Sequence, residues 1–330
     1  MLSVSSATAS RPKMKKKTFG LIVFFVGLAL VYLLVNIALD GRFLSALNLR
    51  TICAHAVFPA ILAMGMSFIF SAGIIDLSIG SKVLLSANVG MILAYNFKLG
   101  YLGLFGGTII TCIILQLISS WLILSLQLPS WVAGLGAALV FESILAEYST
   151  NRIQNSQTSV INITDDLRLF GTMPTMFITM LVCFVIVFIL FNYTKIGINI
   201  RAIGSNADVA QAMGVDRKKT IILGAVVGAI FVGIASVVQV SYATKLEATT
   251  GLSSLSQTFN ALACLLLSQS ISRILNNIIG ILVSSFVLMS VFNALTMFGV
   301  PSGTYQSIAL GAIIILCGIL ANIGYKGVVK

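Results

Sequence analysis

Side chains able to do acid–base or metal chemistry are scarce in this chain. There is one histidine, His55, and nine Asp or Glu residues, most of which fall at the ends of apolar segments or between them. Asp76 and Glu142 are the two carboxylates that fall inside such segments. A buried carboxylate is costly unless it is paired or reaches water, so we expect Asp76 to cap a helix or to line a polar cavity. Glu142 lies late in its segment, where interfacial water should solvate it.

The common catalytic patterns are missing. The sequence contains no Gly-Lys dipeptide for a P-loop, no Gly-x-Ser-x-Gly, and no second histidine for His-Glu-x-x-His, so His55 is read as a helix-packing or interfacial residue. The five cysteines fall in apolar segments without Cys-x-x-Cys spacing and are read as small buried hydrophobes. We therefore expect no catalytic residue, no metal site and no cofactor bound by this chain.

Composition indicates what the chain does instead of catalysis. Of 330 residues, 58% are apolar and 9% are charged, and the mean hydropathy is +1.06. These values predict an all-α, multi-pass integral membrane protein of the cell membrane, with its apolar exterior against lipid. The net charge of +11 comes from basic residues at the ends of apolar runs, without interleaved aromatic residues. That pattern follows the positive-inside rule and does not favour nucleic acid.

Apolar runs long enough for membrane helices recur along the chain, since a crossing takes about 20 residues. The third, fifth and eighth runs are short or interrupted by Gly and polar residues. We predict ten spans near residues 19–39, 52–72, 77–95, 100–126, 130–147, 172–193, 219–241, 252–270, 274–298 and 303–323.

Lys and Arg orient these spans. Basic residues gather in the first 17 residues, between residues 195 and 219, and at the C-terminus, and all three groups share one side if the number of spans is even. That side is the cytoplasm. The predicted organisation is a basic cytoplasmic tail (1–18), a transmembrane domain (19–325) and a cytoplasmic tail (326–330). Within the domain, 148–171 form an external loop and 194–218 form a cytoplasmic loop.

A weak internal similarity relates the two halves of the chain. The fourth span is followed by Leu128-Pro129-Ser130 and the ninth by Val300-Pro301-Ser302, and these two spans run in opposite directions. The similarity indicates either an inverted repeat, as in many transporters, or the ordinary preference for Pro and Ser where helices begin.

The cytoplasmic loop contains a polar stretch from Arg201 to Lys219. Here a helix of about two turns is predicted, in which Asn206 is the N-cap and Gly214 ends the helix in the left-handed region. Its small apolar face suits close approach to a partner surface. That face comprises Ala207, Val209, Ala210 and Met213.

Two motifs resemble those of one family. Gly73-Ile-Ile-Asp-Leu-Ser-Ile-Gly-Ser81 is similar to the Gly-Gly-Ile-Asp-Leu-Ser-Val-Gly-Ser signature of ribose-type permeases of ATP-binding-cassette importers. Lys195-Ile-Gly197, with the stretch from Arg201 to Val215, resembles the cytoplasmic segment of the same family. A third segment, Leu128-Pro-Ser-Trp-Val-Ala-Gly-Leu-Gly136, is similar as well. The resemblance covers roughly residues 45–325.

This resemblance implies a permease subunit that performs no chemistry itself. It implies several partners: a cytoplasmic ATPase that binds ATP and Mg, an extracytoplasmic binding protein that delivers the solute, and a second permease subunit. The solute would be a small polar molecule, a monosaccharide such as ribose above all. The resemblance assigns the helix from Asn206 to Gly214 to ATPase coupling.

The sequence departs from the family pattern at one place. Asn260-Ala-Leu-Ala-Cys-Leu-Leu-Leu-Ser-Gln-Ser-Ile-Ser-Arg273 replaces a stretch in which the family carries several glycines. Loss of those glycines removes close helix approach and puts in doubt the usual substrate and the symmetric homodimer. A heterodimer with a sister permease therefore stays open.

Polar residues within the spans are the candidates for the translocation path, although each could instead bond between helices. Two alternatives remain: an ion-coupled secondary transporter with inverted repeats, which would use Asp76 as its coupling carboxylate, or an importer permease for nucleosides or autoinducer-like furanoses. The path candidates are Asp76, Ser78, Asn88, Gln257, Asn260 and Asn293.

Overall fold

The computed structural model describes residues 13–272, 274–301 and 303–322. Residues 1–12 and 326–330 of the predicted tails, and Arg273 and Ser302 of the quoted motifs, lie outside the described residues. The described chain is all helical, apart from loops. Its α-helices are α1 (Lys13–Ala38), α2 (Ala46–Phe70), α3 (Ile79–Tyr95), α4 (Gly100–Leu126), α5 (Ser130–Gln154), α6 (Thr175–Tyr193), α7 (Lys195–Ser205), α8 (Ala207–Ala212), α9 (Arg217–Ala243), α10 (Leu255–Ser270), α11 (Asn277–Met297) and α12 (Thr304–Asn322).

Membrane crossing is supported by the length and hydropathy of these helices. Within the described residues, seven helices (α1, α2, α4, α5, α6, α9 and α11) are long and apolar enough to span a bilayer, and the shorter apolar helices Ile79–Tyr95 and Thr304–Ile319 accompany them. The all-α membrane fold is therefore confirmed, whereas the total of ten spans stays a prediction. The α10 helix has 16 residues, fewer than a complete crossing needs.

The loops differ in extent from the predicted ones. Helix α5 continues to Gln154, so the first part of the predicted external loop 148–171 is helical, and short 3₁₀ turns at Asp165–Leu167 and Leu169–Gly171 order its last part. The predicted cytoplasmic loop 194–218 consists almost entirely of α7, α8 and the start of α9.

Helices α2 and α9 form the centre of the bundle because glycines let their backbones touch. A Cβ added at Gly228 of α9 would lie 2.6 Å from the carbonyl oxygen of Gly65 on α2. Next to this contact, Phe68 of α2 stacks on Phe231 of α9 with ring centroids 6.3 Å apart. Such close approach is how helices associate in lipid, where hydrophobic burial gives little driving force.

Two non-helical segments enter this bundle from opposite ends. Residues 71–78 link α2 to α3, and residues 244–254 link α9 to α10. They meet where a Cβ added at Gly80 would overlap the carbonyl oxygen of Ser254, and where the Gly80 amide donates to Thr258 Oγ1 at 2.8 Å. We call this contact between the starts of α3 and α10 the junction.

From the junction, α3 and α10 run in opposite directions. Helix α3 ends at Tyr95, whose hydroxyl lies 2.8 Å from Thr164 Oγ1 in the loop before α6. Helix α10 ends at Ser270, whose hydroxyl donates to the carbonyl of Cys317 late in α12. With 17 and 16 residues, each helix is about 25 Å long, so the junction lies well inside the bundle.

We expect Gly228→Leu to destabilise the protein by about 1–3 kcal/mol, because the added side chain must force α2 and α9 apart. Gly106→Leu is the matched control, since a Cβ at Gly106 of α4 meets nothing within 4 Å. Thermal unfolding of purified protein in one detergent would measure the difference. Equal melting temperatures for both variants would contradict the role assigned to the Gly65–Gly228 contact.

Candidate functional site

Asp76 lies in a buried ion pair. Lys82 Nζ is 2.5 Å from Asp76 Oδ2, and the two side chains are 0% and 1% exposed. Gln116 of α4 bridges both charges: Lys82 Nζ donates to its Oε1 at 2.8 Å, and its Nε2 donates to Asp76 Oδ2 at 3.1 Å. Lys82 therefore pairs with Asp76 and does not extend to the cytoplasmic interface.

The other carboxylate oxygen of Asp76 holds the residue that precedes α3. Ser78 donates to Oδ1 through its backbone amide at 2.9 Å and through its hydroxyl at 2.6 Å. Ser78 is the N-cap residue of α3, but its side chain accepts no amide of that helix. The Gly80 amide is bound by Thr258 of α10 instead. The side chain that caps the first turn of α3 is therefore Thr258 from α10, and not Asp76 or Ser78.

These contacts bear on the alternative of an ion-coupled transporter. Such a mechanism needs a carboxylate that can exchange its partner for a proton or a cation. Both oxygens of Asp76 are occupied by Ser78, Lys82 and Gln116. Breaking a buried ion pair leaves one charge unpaired, at a cost of several kcal/mol, so Asp76 does not readily exchange its partner. Asp76 is better suited to holding the segment between α2 and α3 in place.

Glu142 of α5 anchors the start of α10. Its two carboxylate oxygens accept from the backbone amides of Leu252 at 2.9 Å and Ser254 at 2.8 Å, and the residue is 2% exposed. Solvation by interfacial water, which the sequence suggested, is therefore wrong: the carboxylate is satisfied by two backbone amides of the segment that leads into α10. Each of the two half-length helices thus begins beside a buried carboxylate.

Asn88 and Gln257 are packed inside the bundle. Asn88 Nδ2 donates to the carbonyls of Leu84 and Leu246 at 2.9 Å each, which ties α3 to the segment before α10. Gln257 Oε1 is buried and has no hydrogen-bond partner among the described residues. Neither residue lines the two cavities that follow.

Asn260 and Asn293 line a cavity of about 610 Å³ between α2, α10, α11 and α12. Its wall combines several hydroxyl and amide groups with a larger apolar surface. Asn293 Oδ1 accepts from Asn48 at 2.9 Å, whereas the Asn260 side chain has no hydrogen-bond partner among the described residues. The polar lining comprises Thr51, Ser256, Asn260, Asn293, Thr296, Gln306 and Ser307, together with His55.

A second cavity of about 240 Å³ continues from the first. His55, Asn260 and Met289 line both cavities, and Gln239 and Tyr242 of α9 complete the second. Tyr242 lies in the last turn of α9, whose first turn follows α8. The cavities therefore lie toward the end of the bundle away from α7 and α8, which is the external end in the predicted orientation.

Helix α7 is fixed to the bundle by packing and by Arg201. Ile200 and Ile203 are buried, and a Cβ added at Gly204 would overlap the carbonyl oxygen of Ser71, the residue that ends α2. Arg201 donates to the carbonyl of Phe191 at 2.6 Å and lies 5.1 Å from its ring centroid. A displacement of α7 therefore acts directly on the start of the 71–78 segment.

Helix α8 has the predicted local structure. The Asn206 side chain accepts from the amides of Asp208 and Val209 at 3.1 and 3.0 Å, and Gly214 follows the helix with φ +86°. The apolar residues divide between two faces. Ala207 is half-buried and Ala210 is buried, whereas Val209 and Met213 are 57% and 81% exposed. The last two are the side chains available to a partner.

The stretch that lacks the family's glycines is an uninterrupted helix as far as Ser270. Sequence reasoning assigned no functional role to His55, Tyr242 or Gln239. Each has a polar side chain on an otherwise apolar helix, and that is the only local signal they give.

We expect Asp76→Asn to cost about 3–5 kcal/mol of stability, because it leaves the Lys82 ammonium buried without a counter-charge. The double variant Asp76→Asn/Lys82→Met should cost clearly less than Asp76→Asn alone. Glu247→Gln, which breaks the exposed Lys245–Glu247 pair, is the control and should change little. Thermal unfolding would measure these three variants and Lys82→Met alone. Additive effects of the two single substitutions would contradict the pairing.

Comparison with known proteins assigns the family. A model described as branched-chain amino acid transport system / permease component matches residues 48–318. The ribose import permease of Bacillus subtilis (strain 168) is 26% identical over 313 residues, covering 90% of this chain and 91% of the relative. The xylose transport system permease of Haemophilus influenzae is 22% identical and covers 92% and 96%. The galactose/methyl galactoside import permease of Escherichia coli (strain K12) is 26% identical and covers 90% and 92%.

No solved structure matches the chain. The family model nevertheless spans most of the sequence, including the junction, both cavities and the α7–α8 segment. The chain belongs to the family of membrane permease components of the branched-chain amino acid transport type.

Proposed function

We propose that this chain is the permease subunit of an ATP-driven importer and that it passes a monosaccharide of the ribose type. An extracytoplasmic binding protein delivers the sugar, and separate cytoplasmic ATPase subunits bind ATP and Mg. The similar proteins include permeases for ribose, xylose and galactose, which supports this class of substrate. A second permease subunit, identical or a sister chain, completes the path.

The observation that carries the proposal is a continuous series of contacts from α8 to the cavities. Helix α7 touches the Ser71 carbonyl through Gly204. The segment that begins there leads to the Asp76 ion pair and to the junction, where Gly80 meets Ser254 and Thr258. Helix α10 starts at that contact and carries Asn260 in the cavity wall. Motion at the ATPase end can therefore reshape the cavities through packed backbone.

In this proposal the path runs through the two cavities. Asn260 and Asn293 contact the sugar. Asp76, Ser78 and Asn88 hold the segments that move. Gln257 precedes Thr258 on α10. Closure of the ATPase dimer on ATP displaces α8 and α7, and the junction transmits that displacement. The carried molecule needs no chemistry from this chain, because energy enters only through the partner.

We expect Val209→Asp/Met213→Asp to weaken ATPase binding at least ~10-fold, because two carboxylates then face an interface that buries apolar groups. Leu169→Asp is the control: Leu169 is 52% exposed, but it lies in the loop before α6, away from α8. Titration of the cognate ATPase against the full chain in nanodiscs would measure affinity. Unchanged affinity in the double variant would remove α8 from the interface.

A second variant separates ATPase binding from the transmission of movement to the cavities. Gly204→Ala places a Cβ against the Ser71 carbonyl, so α7 must shift while Val209 and Met213 stay exposed. We expect ATPase affinity to be retained and ribose uptake per ATP hydrolysed to fall roughly 2- to 30-fold in the reconstituted importer. Gly106→Ala is the control. Normal uptake in Gly204→Ala would contradict transmission through Ser71.

A further inference from the structure

His55 occupies the boundary between the two cavities. It lies nine residues into α2, about 14 Å from the first residue of that helix. Its imidazole is exposed and lines both cavities, as do Asn260 and Met289. These three side chains therefore lie where the two cavities meet.

Tyr242 holds the imidazole in place. Its hydroxyl is 3.2 Å from His55 Nε2, and the two rings meet edge to face with centroids 5.9 Å apart. When the tyrosine hydroxyl donates to Nε2, the ring hydrogen is on Nδ1, which has no partner among the described residues. In that tautomer the pair presents a donor at the boundary.

Unused amide groups surround this donor. Neither Asn260 nor Gln239 has a side-chain hydrogen bond within the described part of the chain, and both line the smaller cavity. Each amide offers two donors and one acceptor, which suits hydroxyl groups that both donate and accept. Phe58 and Phe292 add apolar surface to the two cavities. This combination of a few polar groups with apolar walls is typical of small-molecule sites.

The charge of the ligand follows from the lining. Among the described residues that line the two cavities there is no Asp, Glu, Lys or Arg. A phosphate or carboxylate entering here would lose its water without gaining a counter-charge. The cavities therefore accept a neutral ligand and exclude an anionic one.

We propose that His55, positioned by Tyr242, is a specificity-determining residue at which the permease itself recognises a neutral polyhydroxylated molecule and excludes its phosphorylated form. This inference rests on the proposed function, because it takes the cavities to be part of the sugar path. Selection then occurs twice, first in the binding protein and again at His55.

Protection of a cysteine from labelling tests this without ATPase or binding protein. Ser256→Cys places a thiol in the larger cavity, and the full chain in nanodiscs is labelled with an uncharged, water-soluble methanethiosulfonate, with the unsubstituted chain as background. D-Ribose, D-xylose, D-galactose and D-fructose are the probes, and ribose 5-phosphate is the charged comparison. We expect at least one free sugar to slow labelling, and ribose 5-phosphate to have no effect.

Variants of His55 then test whether this residue is responsible for the protection by sugar. In the Ser256→Cys background, His55→Leu should raise the half-protecting concentration of that sugar about 3- to 10-fold, the loss of roughly one neutral hydrogen bond. His55→Gln should recover part of the effect. Thr150→Val is the matched control, because Thr150 lies on α5 outside the lining of both cavities and its hydroxyl donates to the Ala146 carbonyl. An unchanged labelling rate without sugar shows that each variant keeps the cavity.

Three outcomes would each overturn the inference. The sugar protects His55→Leu as well as its parent, ribose 5-phosphate protects as well as the free sugar, or none of the four sugars protects. A different result would overturn the proposed function. If the reconstituted importer shows no ATP-driven uptake of these sugars, the importer assignment falls while a protection result still stands. If uptake is normal and protection is absent, only the role of His55 is lost.

Discussion

Backbone amides that start a helix inside a membrane must find partners within the protein, and this constraint organises the whole structure. Helices α3 and α10 both begin well inside the bundle, at the junction. Glu142 satisfies two amides before α10, Thr258 satisfies the amide of Gly80, and Asp76 holds Ser78. In this arrangement both buried carboxylates, Asp76 and Glu142, have hydrogen-bond partners.

The order of these broken elements matches an inverted arrangement of the two halves. One non-helical segment follows α2 and the other follows α9, the second and seventh of the predicted spans, and the helices after them run in opposite directions. The Pro-Ser similarity likewise relates the fourth span to the ninth. Both pairs are separated by five spans, which is the order that an inverted repeat predicts. The junction then lies where the halves meet.

Local features were predictable from the sequence, whereas distant pairings were not. Hydropathy gave the apolar helices, and the Asn206 cap and the left-handed Gly214 followed from residue type. Asp76 stands out in the sequence as a carboxylate within an apolar segment, yet nothing local identifies Lys82 as its partner. The partners of Glu142 lie 110 and 112 residues away along the chain, and Tyr242 lies 187 residues from His55. Only the packing of the helices brings such residues together.

The pairing of Asp76 with Lys82 also bears on the membrane potential. Moving a single elementary charge through the field costs about 2.3 kcal/mol per 100 mV. The carboxylate and ammonium are 2.5 Å apart and are bridged by Gln116, so they must move as one neutral unit. A shift of this segment therefore does almost no electrical work, and an uncharged cargo adds none. Movement of the Asp76–Lys82 pair is therefore insensitive to the membrane potential, and in the proposed importer depolarisation of the membrane would not oppose it.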